Sequence, residues 1–184
     1  MASSFFMPES KLIFNAQSLL RALTRIAHEI AERNEGPADV VLVGIQKGGV
    51  HLAARLSKLL EGIWTRKVLY GELDVGMHRD DIAQRAAPQV HPTKMPFDLE
   101  GKTVVLVDDV LFSGRTVRAA MDALNDFGRP AAIQLAVLID RGHRQLPIKA
   151  DFVGKNVPTS PREQIEVALK EDGATEDSAQ LVKK

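Results

Sequence analysis

The chain has 184 residues, 24 basic against 24 acidic side chains, 45% apolar residues and no cysteine. That length and apolar share suit one domain with a core large enough to fold without disulfides or structural metal. The missing cysteine excludes thiol catalysis and cysteine-ligated zinc, and the balanced charge argues against a wholly basic nucleic-acid coat, though not against a local basic face.

Met1 to Lys11 lacks the basic start and apolar run of a secretory signal, and no apolar stretch approaches the roughly 20 residues of a membrane span. A soluble, cytoplasmic protein is expected. Met1 to Ile13 is a lead-in with room for a short edge strand. From Asn15 to Asn34, Leu19, Leu20, Leu23, Ile26, Ala27 and Ile30 recur at helical spacing, and the opposite stripe carries Arg21, Arg25, His28 and Glu32. Gly36-Pro37 ends this helix. Val40 to Ile45 is a continuous apolar run, the mark of a strand buried on both faces. Gln46-Lys47-Gly48-Gly49 is a tight loop, Val50 to Leu60 a helix and Lys67 to Leu73 a second strand. Asp74 to Asp98 is polar, holds Arg79, Asp80 and Asp81, and reads as a mobile flap or a hairpin. Thr103 to Val107 is a third buried strand, Gly114 to Phe127 a helix with Val117, Ala120, Met121 and Leu124 on one side. Ala131 to Ile139 is a fourth strand, and Phe152-Val153 opens a fifth. After Pro161 the chain turns acidic and poor in large apolar residues, which predicts a short strand near Gln164 to Leu169 and then a disordered tail. The expected division is therefore a domain over 1–162 and a strand with a disordered acidic tail over 163–184.

Strands alternating with helices predict an α/β fold around a mainly parallel sheet. Ligands in such folds bind beyond the carboxyl ends of the strands, so the loops beginning at Gln46, Asp108 and Asp140 should share one edge.

The segment Val104-Val105-Leu106-Val107-Asp108-Asp109-Val110-Leu111-Phe112-Ser113-Gly114-Arg115-Thr116 carries the most chemistry. Four apolar residues deliver two adjacent acids to a strand end. Acids beside a core are costly unless something donates hydrogen bonds to them, and two neighbouring ribose hydroxyls are suitable donors. A small-residue turn and a helix start follow, with free N–H groups and a positive dipole end suited to a phosphate. Ser113 and Thr116 add hydroxyl donors. The competing reading takes Asp108-Asp109 as a helix-capping pair and Ser113 as an N-cap.

This segment resembles the motif of type I phosphoribosyltransferases that binds 5-phosphoribosyl 1-pyrophosphate (PRPP). More of the chain, about Leu12 to Arg162, resembles the PyrR family. The residues that carry it are Leu23 to Glu29, Leu73-Asp74 with Arg79-Asp80-Asp81, Gly114 to Leu124, Ile133 to Arg144, and Val153 to Asn156. PyrR proteins are pyrimidine-operon attenuation proteins that are also uracil phosphoribosyltransferases.

The resemblance implies a type I phosphoribosyltransferase fold, with a small hood and a flexible flap beside the parallel sheet. It implies conversion of uracil and PRPP to UMP and pyrophosphate, with Mg²⁺ accompanying PRPP and no dedicated protein metal site. Asp108 and Asp109 would hold the ribose hydroxyls. Val110, Leu111 and Phe112 would lead into the cradle of Ser113, Gly114, Arg115 and Thr116 around the 5′-phosphate. Arg79 on the flap would close over the pyrophosphate, or else pair with Asp80 or Asp81. Asp140, Arg141 and Val157 would border the uracil, unless Asp140-Arg141 is a strand-end ion pair. The RNA face would comprise Thr24, Arg25, His28, Arg33, Arg144, Lys149 and Lys155, bind pyrimidine-operon mRNA under control of UMP or UTP, and belong to a homodimer or homotetramer. Without the resemblance, that helix stripe reads as an ordinary solvated face. The alternative function is a purely metabolic phosphoribosyltransferase, for uracil or another base, without RNA binding.

One departure concerns pyrophosphate. PyrR proteins with the enzyme activity commonly carry Lys-Thr-Arg-Gly after the first strand, and here the four residues are Gln46-Lys47-Gly48-Gly49. Lys47 keeps one cation in a shifted position, and Gly48 stands where the arginine would be. Lysine does not reproduce the planar two-pronged grip of arginine on a phosphate.

Overall fold

A computed structural model describes residues 10–78 and 91–183. Arg79, Asp80 and Asp81, expected on the flap, lie outside the described residues.

The elements in chain order are β1 (Ser10–Phe14), α1 (Ala16–Arg33), β2 (Val40–Ile45), α2 (Gly48–Trp64), β3 (Tyr70–Leu73), β4 (Thr103–Leu111), α3 (Arg115–Leu124), β5 (Ala132–Asp140), β6 (Phe152–Asn156), β7 (Glu163–Ala168) and β8 (Ser178–Lys183). Five strands form a parallel sheet in the order β3-β2-β4-β5-β6, and β1, β8 and β7, with the turn between β7 and β8, form a separate antiparallel unit, here called the hood, with β8 in the middle. The continuous apolar runs are explained by burial on both faces. Along β2 and β4, Val40, Leu42, Val105 and Val107 point into a cluster with α1 and α2, while Val41, Val43, Val104 and Leu106 point into a second cluster with α3.

α1 begins where the sequence says it should, because Asn15 and Ser18 form a reciprocal capping box. It buries Leu19, Leu23, Ile26, Ala27 and Ile30, each fully buried Leu or Ile contributing about 1.5–3 kcal/mol. Leu20, expected in the same stripe, is 56% exposed; the buried arc is narrower than the apolar spacing suggested. β2 runs straight into α2, and a Cβ at Gly44 would stand 2.5 Å from the Val50 backbone, so only glycine lets strand and helix approach this closely.

Several boundaries differ from the sequence expectation. α2 takes in Gly48 and Gly49, which were expected in the loop, and β3 starts at Tyr70 rather than Lys67. β4 continues through Asp108 and Asp109 to Leu111, because β5 keeps offering it partners, Asp108 beside Val137 and Leu111 beside Asp140. Of the stretch expected as flap or hairpin, the returning limb pairs Lys94 antiparallel with Glu72 through two 2.8 Å backbone bonds.

The larger correction concerns the tail. Residues beyond the short strand are ordered as a turn at Lys170–Asp172 and the strand β8. β8 is hydrogen-bonded on both sides and buries Ala179, which joins Leu169 in the cluster beneath α1 and α2. Three of the acidic residues that suggested disorder are partnered: Glu171 and Asp177 by Arg55, Asp172 by His51. Among the described residues no helix is long and apolar enough to cross a membrane.

Candidate active site

β2 pairs with β4 only as far as Gly44 beside Val107. Beyond that point β2 gives way to the turn into α2, and β4 projects Asp108 to Leu111 past it. The two acids therefore stand at the carboxyl edge of the sheet, facing the start of α2. Asp108 is buried, and its Oδ1 accepts the Asp109 N–H at 2.9 Å; Asp109 Oδ1 accepts the Val110 N–H at 2.7 Å. One oxygen of each carboxylate thus fixes the chain. Burial pushes the Asp109 carboxyl up; bonds from Val110 and to Asp108 pull it back, and the charge of Asp172 adds to the rise.

The other Asp109 oxygen faces Gly48. A Cβ at that position would lie 2.3 Å from Asp109 Oδ2, and one at Gly49 would lie 2.1 Å from the Val107 carbonyl oxygen. The place where relatives were expected to carry arginine is thus filled here by Asp109. Lys47 caps α2 without a side-chain cap bond, and the Gln46–Lys47 peptide is cis. Gln46 Nε2 donates to Glu72 at 3.3 Å.

Past Leu111 the chain turns through Phe112, Ser113 and Gly114, the last with φ +90, and enters α3 at Arg115. The Ser113 carbonyl accepts from the Gln145 and Leu146 N–H groups at 3.0 and 3.2 Å, and Arg115 Nε donates to Gln145 at 2.8 Å. The turn is therefore braced from behind by the segment after β5, leaving its concave side beside the N-terminal turn of α3, suited to an anion.

Asp140 and Val157 meet as expected, the Val157 N–H donating to the Asp140 carbonyl at 2.8 Å. Arg141 does not pair with Asp140. It is buried, stacks 4.2 Å from the Phe112 ring centroid, and donates to Thr159 Oγ1 at 3.0 Å and the Glu163 carbonyl at 2.6 Å. Burial pushes its pKa down. Its side chain anchors the start of β7, so any contact to a base beside it comes from backbone.

The expected RNA residues divide. Arg144 lies apart from α1: it forms the ion pair with Asp140, donates to the Phe112 carbonyl at 2.7 Å and to the Ile148 carbonyl at 2.9 Å, and so braces the turn from Phe112 to Gly114. Thr24, Arg25, His28 and Arg33 share α1, and β6 with Lys155 packs alongside. Arg25 donates to Glu29 at 2.7 Å and to the Gly154 and Val153 carbonyls at 2.6 and 3.2 Å. Arg33 pairs with Asp151 at 2.7 Å, and Lys155 stands 5.5 Å from the Phe14 ring centroid. Thr24 Oγ1 donates to the Leu20 carbonyl at 2.9 Å, while His28 and Lys149 are exposed. Arg25 and Arg33 remain 49% and 52% exposed.

Sequence reasoning missed His51 and Arg55 on α2 and their partners in the segment between β7 and β8. The available signal was the pair of basic positions His51 and Arg55 at i and i+4 on α2, matched later by Glu171, Asp172 and Asp177. Among the described residues no group of three or more His, Asp or Glu is placed to hold a metal ion.

A parallel sheet ending in a carboxylate pair, followed by a small-residue turn and a helix start, is the layout expected of a phosphoribosyltransferase. Residues 10–172 match the phosphoribosyl transferase domain family. Solved structures agree on the fold: a hypoxanthine-guanine phosphoribosyltransferase of Bacillus anthracis matches with TM-score 0.66 at 19% identity, over 83% of this chain and 86% of that one. The hypoxanthine phosphoribosyltransferase of Trypanosoma cruzi matches with TM-score 0.63 at 22% identity, over 80% and 82%. Sequence relatives are nearer. Bifunctional protein PyrR of Roseiflexus sp. (strain RS-1) is 61% identical, over 90% of this chain and 92% of the relative, and that of Bacillus pumilus (strain SAFR-032) is 54% identical, over 90% and 93%. The chain belongs to the PyrR family of phosphoribosyltransferases.

Proposed function

We propose that this protein makes UMP from uracil and PRPP, and that uridine nucleotide in the same site governs its binding to pyrimidine-operon mRNA. The observation that supports the reading most is Asp108-Asp109 held beside the turn Phe112 to Thr116, in a chain 61% identical to a bifunctional PyrR protein.

In the transfer, a uracil nitrogen attacks the anomeric carbon of PRPP as the bond to pyrophosphate breaks, and the sugar passes through a cation-like state. Asp108 and Asp109 accept hydrogen bonds from the ribose hydroxyls and lie on the side where positive charge develops. Ser113, Gly114, Arg115 and Thr116 hold the 5′-phosphate, which fixes the sugar against two anchors. Lys47 and the first N–H groups of α2 receive the pyrophosphate, and Arg79 supplies a further positive charge to it. Mg²⁺ travels with PRPP and offsets the pyrophosphate charge. Backbone groups around Asp140 and Val157 read the uracil.

For RNA, the reading keeps Thr24, Arg25, His28, Arg33, Lys149 and Lys155 and omits Arg144. Such a face gains affinity from phosphates and selectivity from unpaired bases. It operates in the cytoplasm, where PRPP and nascent mRNA meet, as a homodimer or homotetramer.

Purified protein with Mg²⁺, uracil and PRPP should release pyrophosphate and UMP, with hypoxanthine and orotate as competing bases. Turnover with one of those and none with uracil would overturn the assignment of the base. Filter binding of leader transcripts with and without UMP tests the regulatory half; an unchanged isotherm would refute it.

A further inference from the structure

Gly48, His51 and Arg55 follow one another at spacings of three and four on α2, so they share a face. Each position meets a different acid. Gly48 abuts Asp109. His51 Nε2 lies 3.1 Å from Asp172 Oδ1. Arg55 grips Glu171 at 2.8 and 2.5 Å and Asp177 at 2.7 and 3.0 Å. The segment joining β7 to β8 is thereby laid along α2, starting at the first turn beside the proposed pyrophosphate site. Arg55 keeps its charge and Glu171 and Asp177 stay ionised around neutral pH, so these two ion pairs persist there. The contact nearest the site is different. It is a single bond, its side chains are 31% and 44% exposed, and histidine is the one cation here that changes charge near neutrality. Asp172 faces His51 from the hood; Glu171 and Asp177 on that segment are taken by Arg55; Lys47 and Asp109 stand towards the helix start.

We propose that His51 is a positioning residue for the reaction, holding the hood through Asp172 in register with the pyrophosphate end of the site. A pyrophosphate group at the first turn of α2 favours the imidazolium, and the imidazolium tightens the bond to Asp172. PRPP binding and hood attachment are then linked through one proton. UMP, which carries no pyrophosphate, does not engage this link. The inference rests on the phosphoribosyl-transfer reading above.

The test is calorimetric titration of the full chain with PRPP, inorganic pyrophosphate and UMP, with Mg²⁺, between pH 6 and 8. The wild type should bind PRPP more tightly at the acid end than the ligand's own protonation explains. His51→Ala should weaken PRPP and pyrophosphate by about two- to fivefold, the size of a partly exposed ion pair, and leave UMP unchanged. His51→Gln keeps a donor towards Asp172 without titrating, so it should recover part of the affinity and flatten the pH dependence. Asp172→Asn should match His51→Ala, and the double variant should be no worse than either. Wild-type PRPP affinity and pH dependence in both His51 variants would overturn the inference. So would equal losses for UMP and PRPP, which would mean general loosening. PRPP that binds without turnover would instead count against the transfer reading, while the pH dependence of that binding still decides the role of His51.

Discussion

Asp109 is held largely out of water with a second carboxylate beside it, and burial is the main reason its pKa is raised above 3.8. A carboxyl whose pKa rises on folding favours the folded state only while protonated. The penalty appears as pH rises through the ordinary carboxylate range and is complete above the folded value. Asp109→Asn should therefore melt higher than the wild type at pH 7, and the gap should close as pH falls towards 4. The same change should weaken UMP binding by about 1–3 kcal/mol, because ribose loses a charged acceptor. A variant that melts lower at neutral pH, with UMP affinity intact, would contradict both halves. Gly48 is the companion case. Gly48→Ala puts a methyl into the space of Asp109 Oδ2 and Cγ, so it should cost about 1–3 kcal/mol of stability and lower UMP and PRPP affinities together. At this scale the sequence showed that the acids, turn and helix start of Asp108 to Thr116 lie together, because they follow one another along the chain. It did not show His51 with Asp172, which are 121 residues apart and meet only through the fold.

The elements were legible where a pattern was unbroken. β2 and α1 appear at the expected places because an apolar run and a capped periodic stripe each have one good solution. The end of β4 was misplaced because two acids look like the close of a strand, and only pairing with β5 carries the strand on. β8 was missed because its carboxylate-rich approach has the composition of a solvated tail. Arg55 supplies what that composition lacked, and the hydrogen bonds to it are the first cause holding the Glu171 and Asp177 carboxyls below their usual range. Lowered carboxylate pKa values stabilise the fold above about pH 4.5, and that contribution is lost as pH falls through the folded values. Arg55→Ala should cost about 1–2 kcal/mol at pH 7, discounted for partial exposure, and little below pH 4. Urea unfolding at both pH values checks this. Arg25 has a second job besides the proposed RNA contact, since it covers carbonyls of the edge strand β6. Arg25→Gln should lower RNA affinity, reduce the salt slope by about 1 and leave UMP binding intact, with a stability loss of about 1 kcal/mol or less. Unchanged RNA affinity would return Arg25 to a purely structural place.

Across the whole molecule, the parallel sheet and its carboxyl edge follow from alternating strands and helices, as the sequence promised. The hood does not, because it is assembled from the two ends of the described chain. β1 pairs with β8, Ser10 opposite Val182, and β8 pairs with β7. Removing Ser178–Lys183 should strip β1 and β7 of their shared partner, expose two strand edges and promote aggregation, followed by light scattering on mild heating.

That pairing also orders events in time. During synthesis the parallel sheet can form once β6 has left the ribosome, since its five strands lie between Val40 and Asn156. Among the described strands β1 precedes all the others, and the strand it pairs with, β8, follows them all, so β1 waits longest for its partner. A chain cut before Ser178 would keep all five strands of the parallel sheet and leave β1 and β7 without the strand that joins them.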